Sequence, residues 1–407
     1  MAAGGYSRLP GAGGLRSLTS HGARVSESCI AVIGAGVAGA VTAICLRRSW
    51  PDARVLLVDM GPAADRSGIR RRRRAPESLT PAGVACLADL GLAERLPGDG
   101  HLRSQGTESC WGGQRPGFND FWLDVFGEGY HLDRAALDSS LQAEAQACGV
   151  ELLPDCRLLS ASYDTAASNV TLRLKSAGAS WTITPDFAVD ATGPRAVLAR
   201  RLGVARNMLD KLIALSGHFP SSAMDSKGQR GLVEAVDYGW WYAAPVPGGG
   251  LGVSLLTDIE TLQAAGLRAP RVWMDRLMRT GRISGKLSGA GICAPPDSLE
   301  VRTAPSMILS TVAGQGWLAV GDAACSYDPL TSAGIPKALQ QAQASAQAIT
   351  ALIREGERAA LAQYQSDVFD EFSRYAALRR DLYAREVRFQ DCAFWRRRLA
   401  LRTGGVT

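Results

Sequence analysis

The fold is decided by a short stretch near the start of the chain, Cys29-Ile-Ala-Val-Ile-Gly-Ala-Gly-Val-Ala-Gly-Ala40. Its uncharged, β-branched first part is typical of a strand buried on both faces. The glycines that follow have the spacing G-x-G-x-x-G, which allows a tight turn, a close approach by a pyrophosphate and close helix–strand packing. A pyrophosphate would bind the free N–H groups of the following helix. The predicted contacts are Gly34, Gly36, Val37, Ala38 and Gly39.

A second apolar run, Arg54 to Asp59, has the composition of another buried strand and ends in an acid. Asp59 follows Gly39 by roughly twenty residues, where a carboxylate is expected to bind ribose hydroxyls. Strand, glycine loop, helix, strand and acid therefore stand in the order of a Rossmann-like α/β unit. A glycine turn in an unrelated α/β protein is the less favoured alternative.

The composition is that of a folded soluble protein, with 407 residues, 46% hydrophobic and 21% charged. This length allows two substantial domains or one elaborate one. Part of the net charge of +6 lies in Arg70–Arg74 and Arg396–Arg398, which we expect to be solvated. Docking of an acidic partner or a phosphate on residues 70–74 is the alternative. No nucleic-acid module accompanies these runs, so we do not expect nucleic-acid binding.

The nine cysteines are scattered and form no CxxC or Cys/His cluster, so we predict neither a metal site nor a disulfide framework. Free thiols are typical of a reducing compartment, which favours a cytoplasmic location. No apolar run is long enough to span a membrane. Residues 1–27 lack the apolar core of a secretory signal and are predicted to be a disordered tail.

The rest of the chain alternates between two kinds of pattern. Strand-like runs predict a β-meander at 150–185, and Pro/Gly-punctuated strands after residue 206 predict an antiparallel sheet that would form a substrate domain. A buried-strand pattern returns at Trp317, and the chain then becomes helical. The predicted boundaries are 28–205 plus 300–355 for the nucleotide-binding domain, 206–299 for the substrate domain and 356–407 for the C-terminal helices.

Three separated motifs occur together: the glycine loop with Asp59, the run Asp190-Ala-Thr-Gly193, and Gly321-Asp322-Ala-Ala followed by residues 328–335, Asp-Pro-Leu-Thr-Ser-Ala-Gly-Ile. This set resembles the FAD-dependent aromatic hydroxylase superfamily over roughly residues 28–400. The resemblance implies a p-hydroxybenzoate-hydroxylase-like fold, in which a Rossmann-like FAD-binding domain carries an inserted antiparallel substrate domain and a long C-terminal helical segment. It also implies FAD rather than NAD.

The resemblance implies roles for particular residues. Asp322 would hold the ribityl chain, and the loop from Pro329 would pass close to the isoalloxazine ring. The helix that follows would direct its positive N-terminus at the flavin, which suits negative charge on the reduced ring. Arg134 would reach the phosphates, with a surface arginine as the alternative. The further implied contacts are Glu77, Ser78, Gly193, Gly321, Gly334 and Ile335.

Within this superfamily the chain is most similar to the branch that contains the tryptophan halogenases. The segment Glu77-Ser-Leu-Thr-Pro81 looks like their flavin-adjacent segment, and Trp240-x-Tyr242-x-x-Pro245 looks like their Trp-x-Trp-x-x-Pro signature, with a tyrosine replacing the second tryptophan. Halogenases also need a lysine, which is missing from residues 103–115, and a glutamate where this chain has Thr331. Halogenation is therefore disfavoured.

Other members of the branch act on tryptophan during biogenesis of cysteine tryptophylquinone, and the segments around Trp111, Trp240 and Trp395 look similar to theirs. The implied activity is hydroxylation of an electron-rich aromatic ring, either a small molecule or a tryptophan in a partner polypeptide. It would use FAD, O2 and electrons from NAD(P)H or a partner reductase. Alternatives are a halogenase-like enzyme, a reductase acting on a lipid-like substrate, and a non-catalytic FAD-binding assembly partner.

No catalytic acid or base is identified from the sequence. Flat aromatic walls suit an aromatic substrate. Because side chains alternate along a strand, Trp241 must face away from Trp240 and Tyr242, so only one of these sets is expected to face the flavin. The pocket candidates are Trp111, Trp240, Trp241, Tyr242, Pro329 and Ser332.

Overall fold

The computed structural model describes residues 28–61, 75–113, 115–121, 124–164, 169–220 and 230–400. The predicted tail at 1–27 and the arginine run at 70–74 lie outside these ranges.

The strands form five sheets. In chain order they are β1 (Cys29–Ile33), β2 (Arg54–Val58), β3 (Glu77–Leu79), β4 (Leu102–Ser104), β5 (Gly106–Cys110), β6 (Gly117–Asp120), β7 (Gly129–Leu132), β8 (Glu151–Leu153), β9 (Arg157–Asp164), β10 (Asn169–Ser176), β11 (Ala179–Ile183), β12 (Phe187–Asp190), β13 (Arg206–Met208), β14 (Leu212–Phe219), β15 (Gly231–Val236), β16 (Gly239–Pro245), β17 (Leu251–Asp258), β18 (Glu300–Thr303), β19 (Met307–Leu309), β20 (Ala313–Gly314), β21 (Trp317–Ala319) and β22 (Cys325–Ser326).

Helices pack against the first sheet and against both faces of the largest one. They are α1 (Val37–Ser49), α2 (Pro81–Asp89), α3 (Arg95–Gly98), α4 (Arg134–Ala147), α5 (Val197–Arg201), α6 (Ile259–Ala264), α7 (Pro270–Leu277), α8 (Arg282–Gly289), α9 (Gly334–Thr350), α10 (Ala359–Ala384) and α11 (Ala393–Leu399). Within the described ranges, no helix combines the length and the apolar character that crossing a membrane requires.

The nucleotide-binding sheet has the order β20-β21-β12-β1-β2-β8, and all of its strands except the edge strand β20 run parallel. Residues 30–33 of β1 are buried, because the sheet lies between helix α1 and the antiparallel strands around β10. Helix α1 packs against α9 and α4. The predicted α/β class with a Rossmann-like unit is confirmed.

The predicted meander at 150–185 divides between two sheets. Strands β9, β10 and β11 form an antiparallel three-stranded sheet, whereas β8 pairs parallel with β2 and extends the nucleotide-binding sheet. A short apolar run does not by itself show which strand it will pair with.

The largest sheet has the order β18-β14-β17-β16-β15-β5-β6. It is antiparallel except where β5 runs parallel to β15. Three of its strands come from outside the predicted 206–299 segment: β5, β6 and β18. These three strands pair with partners that are distant in the sequence. Local sequence patterns do not indicate such pairing, and the predicted domain boundary therefore excluded them.

The two faces of this sheet have different partners. One face buries Trp241 and Trp273 in a core closed by helices α6, α7 and α8. The other buries Trp240 against Tyr383 of α10 and Trp395 of α11. Helix α10 also packs into the nucleotide-binding core, and it therefore bridges the two halves of the molecule.

Candidate functional site

A single cavity of about 1220 Å³ lies between the nucleotide-binding sheet and the large sheet. It exceeds the range of about 300–1,000 Å³ that is usual for small-ligand pockets, as a dinucleotide with an adjoining substrate would require. The glycine loop, Asp59, the 328–335 loop and the β16 residues Trp240 and Tyr242 all contribute to its wall. The structure thus brings together motifs that are far apart in the chain.

The glycine loop is shaped as a cradle. A Cβ added at Gly34, whose φ is +110°, would lie 2.3 Å from the Ala191 carbonyl oxygen, and one at Gly39 would lie 1.8 Å from the Gly34 oxygen. A Cβ at Gly36 would meet, among the described atoms, only Nη2 of Arg134, at 3.7 Å. Gly34 and Gly39 are therefore required for packing, whereas Gly36 leaves open space before the uncapped start of α1. That space fits a pyrophosphate.

Asp59 lies in the cavity wall at the end of β2. Burial raises the pKa of its carboxyl group, the Gly61 N–H lowers it, and the nearby carboxylates of Asp138 and Asp155 raise it further. A partly desolvated carboxylate of this kind is suited to accept hydrogen bonds from ribose hydroxyls.

Arg134 is the first residue of α4, after Asp133, whose side chain caps the helix by accepting hydrogen bonds from two backbone N–H groups. Its guanidinium donates from Nη1 to Glu77 at 3.1 Å and from Nε to Asp138 at 2.8 Å. The side chain is 24% exposed and lines the cavity, with Nη2 directed towards Gly36. This position suits phosphate binding better than a role at the outer surface.

The Asp190–Gly193 motif organises a turn. The buried Asp190 carboxylate accepts hydrogen bonds from the Thr192 N–H at 3.0 Å, the Thr192 hydroxyl at 2.6 Å and the Ala199 N–H at 2.8 Å. Burial raises the pKa of Asp190, and these hydrogen bonds oppose the rise. The turn brings Gly193 to the cavity wall.

A buried cation, Lys337, stands behind Asp322. Its side chain is 1% exposed, and Nζ donates to the Asp322 carboxylate at 2.7 Å, whereas the Asp322 side chain is 45% exposed and lines the cavity. The Lys337 ammonium also lies 4.4 Å from the centre of the Tyr327 ring. The sequence reasoning missed Lys337. The available signal was a lysine in the first turn of an otherwise apolar helix face.

Side chains of helix α10 support the loop at 328–335. Asp328 is fully buried, and its carboxylate accepts from the Leu330 N–H at 3.0 Å and from the Tyr383 hydroxyl at 2.8 Å, with Nε of Arg379 at 3.4 Å. Ser332 adopts a left-handed φ of +50°. The predicted loop residues that line the cavity are Pro329, Ser332, Gly334 and Ile335.

Three of the aromatic candidates line the same cavity: Trp111, Trp240 and Tyr242. The Trp111 ring meets Trp240 edge-on at 6.3 Å between centroids, and its Nε1 donates to the Leu382 carbonyl at 2.7 Å. Trp240 Nε1 donates to the Tyr383 hydroxyl at 3.0 Å. Both rings are thus fixed by α10.

Trp241 must be removed from the pocket candidates. It is fully buried on the opposite face of β16, with its ring 5.0 Å from that of Trp273. The period of two along a strand is the physical reason.

The cavity wall contains no lysine among the described residues. Nor does that part of the chain hold a group of three or more His, Cys, Asp or Glu side chains arranged for a metal ion.

Comparisons with known proteins agree with this geometry. The sequence profile of the family described as "FAD binding domain" matches residues 27–233, about half of the chain. A protein named putative FAD-dependent oxidoreductase LodB, from Marinomonas mediterranea, is 30% identical over 370 residues, which cover 91% of this chain and 96% of that protein. A tryptophan 2-halogenase from Chondromyces crocatus is 25% identical over 390 residues, covering 91% of this chain and 70% of its own.

Solved structures share the fold. CmlS, a flavin-dependent halogenase, has a TM-score of 0.79 and 22% identity, covering 94% of this chain and 69% of its own. The peptidyl tryptophan dihydroxylase QhpG, described as essential for tryptophylquinone cofactor biogenesis, has a TM-score of 0.75 and 24% identity, covering 93% and 80%. With the profile match and the relative that spans nearly its whole length, the chain belongs to the FAD binding domain family and is an FAD-dependent oxidoreductase.

Proposed function

We propose that this oxidoreductase is a monooxygenase that hydroxylates an electron-rich aromatic ring, namely a tryptophan of a partner polypeptide during quinone-cofactor biogenesis. The observation that carries the proposal is that Trp111, Trp240 and Tyr242 line the same cavity as the FAD-binding motifs. The fold shared with the peptidyl tryptophan dihydroxylase QhpG supports the same substrate class.

The cofactor contacts we propose use residues that already fit. Gly36, Val37 and Ala38 would bind the pyrophosphate with Arg134 beside them, and Asp59 would accept from the adenosine ribose. Asp322, held by Lys337, would bind the ribityl hydroxyls. Bound FAD would supply the redox chemistry that activates O2, with electrons from NAD(P)H or a partner reductase.

The chain's own contribution to the reaction would be to orient the substrate and to exclude water from the cavity. Trp111 and Trp240 contribute aromatic surface to the cavity wall, and the hydrogen bonds from their indole N–H groups to Leu382 and Tyr383 fix their orientation. The uncapped N-terminus of α9 at Gly334 places a positive dipole end at the cavity, which favours negative charge on the reduced cofactor.

Specific observations weigh against halogenation. The described cavity wall lacks a lysine, and Thr331 occupies the position where the halogenases resembled above place a glutamate. Reduction of a lipid-like substrate is the remaining alternative within the fold, since a menaquinone reductase of Mycobacterium tuberculosis is 25% identical over 338 residues.

The test is mass spectrometry of a tryptophan-containing partner polypeptide after incubation with the FAD-loaded protein, NADH or a flavin reductase, and isotopically labelled O2. We expect labelled oxygen on tryptophan. A halogen gained from added bromide, or consumption of a quinone without oxygen transfer, would replace the proposal with one of the alternatives.

A matched pair of variants controls the experiment. Gly36→Ala is designed to fill the cofactor cradle and should abolish the oxygen gain, whereas Gly178→Ala changes a glycine in a hairpin turn with no described atom within 4 Å of its added Cβ. Because Gly178 has a φ of +84°, its alanine variant costs some stability but leaves the cavity unchanged, so it should retain the activity.

A further inference from the structure

The tyrosine that replaces the second tryptophan of the halogenase-like signature adds a hydroxyl group to the cavity wall. Tyr242 lies two residues after Trp240 on β16, and both side chains face the cavity. Room for the phenol comes from Gly231 on the neighbouring strand, where an added Cβ would lie 3.1 Å from the Tyr242 ring and 3.2 Å from its oxygen.

This hydroxyl belongs to a chain of three polar groups. The Tyr242 oxygen lies 2.5 Å from Oγ of Ser78, and the same Oγ lies 2.9 Å from Nδ1 of His131. Ser78 and Tyr242 line the cavity, whereas His131 is 1% exposed and pairs with Ser78 across β3 and β7. The contact joins residues 164 positions apart in sequence.

Two arrangements of the protons in this chain turn the Tyr242 hydroxyl in opposite directions. Each hydroxyl carries one proton, and Nδ1 of neutral histidine either donates or accepts. When Nδ1 accepts, Ser78 donates to it and must accept from Tyr242, so that the phenol oxygen offers only lone pairs to the cavity. When Nδ1 donates, Ser78 can donate to Tyr242, and the phenol proton turns towards the cavity.

Tyr242 keeps its proton in either arrangement at neutral pH. Burial raises the pKa of Tyr242 to about 12, and the Ser78 hydroxyl opposes the rise. The cavity therefore meets a neutral phenol whose hydrogen-bonding direction is set through Ser78 by a buried imidazole. A tryptophan ring presents a single polar group, the indole N–H, which can only donate.

We propose that the Tyr242 hydroxyl, oriented by Ser78 and His131, accepts the hydrogen bond of the substrate's indole N–H and so selects an N–H-bearing ring. This assignment rests on the proposed function, because it names the recognition element for a tryptophan substrate. Tyr242 is then a specificity-determining residue, and Ser78 and His131 are positioning residues.

Binding by the FAD-loaded protein tests this without requiring turnover. Indole and 1-methylindole are titrated by equilibrium dialysis against the wild type and Tyr242→Phe, which keeps the ring and its contact with Gly231 but removes the hydroxyl. The wild type should bind indole about tenfold more tightly than 1-methylindole, the effect of one neutral hydrogen bond. The variant should bind both ligands equally, to within about twofold.

The positioning residues are tested by rescue. His131→Leu removes the imidazole and should lose most of the preference for indole, whereas His131→Asn places an amide oxygen close to the position of Nδ1 and should retain it. Ser78→Ala should behave like Tyr242→Phe. FAD content and melting temperature are recorded for each variant. If the Tyr242–Ser78–His131 contact only stabilised the fold, the substitutions would change these two quantities without changing the ratio of the affinities for indole and 1-methylindole.

Several outcomes would refute the proposal: no detectable binding of indole, equal binding of the two ligands by the wild type, or a preference that persists in Tyr242→Phe. The proposed function fails separately. A preference for indole with no oxygen gain on the partner polypeptide would support recognition by Tyr242 and contradict the monooxygenase activity. Oxygen gain without this preference would support the monooxygenase activity and contradict recognition by Tyr242.

Discussion

At the scale of single residues, the glycines of the first loop separate folding from cofactor binding. Gly36→Ala should leave the melting temperature of the apoprotein nearly unchanged, because the added Cβ meets only Arg134 Nη2 at 3.7 Å. It should weaken FAD binding at least tenfold, because the methyl group occupies the space proposed for the pyrophosphate. Gly34→Ala should unfold the protein, since its φ of +110° and a 2.3 Å contact both oppose a side chain. Calorimetry and flavin-fluorescence titration measure the two effects. Equal losses of stability in both variants would contradict the distinction.

Lys337 gives a prediction about pH at the same scale. Burial lowers the pKa of Lys337, but Asp322, Cys325 and Glu371 together more than offset this, so the folded-state pKa is raised. The stabilisation is therefore fully present below the unfolded pKa of about 10.4 and is lost as the pH rises through the folded value.

In Asp322→Asn the buried Lys337 ammonium loses its main counter-charge. The folded-state pKa of Lys337 should therefore fall below about 10.4. The apoprotein should lose about 2 kcal/mol near neutral pH, less than for a fully buried pair because Asp322 is half exposed. Since the folded state then binds its proton more weakly than the unfolded state, this deficit in urea unfolding should shrink as the pH rises from the lowered folded-state pKa towards about 10.4. Lys337→Met, which carries no cation, is the matched control and should show no such recovery.

At the scale of elements, helix α10 is expected to do more than fill the core. The Tyr383 hydroxyl accepts from Trp240 Nε1 and donates to Asp328, so it links the aromatic wall to the 328–335 loop. Tyr383→Phe should cost about 1–3 kcal/mol, because it leaves a buried indole N–H and a buried carboxylate without this partner. It should also weaken FAD binding, because the loop loses its support.

Tyr364 on the same helix supplies the control. It is also buried, and its hydroxyl donates to the Ala319 carbonyl at 2.8 Å, in the nucleotide-binding core. Tyr364→Phe should therefore lower the melting temperature by a similar amount and leave the FAD dissociation constant unchanged. If both variants weaken FAD binding equally, the effect is one of global stability.

The elements also show which parts of the structure can be read from sequence. The glycine loop was predictable because its strand, turn and helix are contiguous, and neighbouring residues determine the local backbone conformation. The opposite facing of Trp240 and Trp241 follows from the strand period alone. The Asp328–Tyr383 pair and the Ser78–Tyr242 contact were not predictable, because their partners lie 55 and 164 residues apart. Lys337 gave a local signal, a lysine on an otherwise apolar helix face, but the sequence did not show that Asp322 would pair with it.

At the scale of the whole molecule, the cavity is the place where two cores meet. Trp395 of α11 holds the end of α10 against the large sheet: it is fully buried, its Nε1 donates to the Val236 carbonyl at 2.8 Å, and its ring lies 5.7 Å from that of Tyr383. Helix α10 carries Tyr375 in the nucleotide-binding core and Tyr383 against the large sheet. A ligand that touches both cores should therefore stabilise them together.

Calorimetric unfolding tests this. FAD at 100 times its dissociation constant should add about 2.7 kcal/mol to one cooperative transition in the wild type. Trp395→Ala should cost about 3–5 kcal/mol and, because it loosens the attachment of α10 to the large sheet, should separate the transition into two. FAD should then raise mainly the transition that contains the glycine loop, since the contacts proposed for its pyrophosphate and adenosine ribose lie there. Two transitions in the wild type, or one transition in Trp395→Ala that FAD raises as a whole, would contradict the view that the C-terminal helices join the cores.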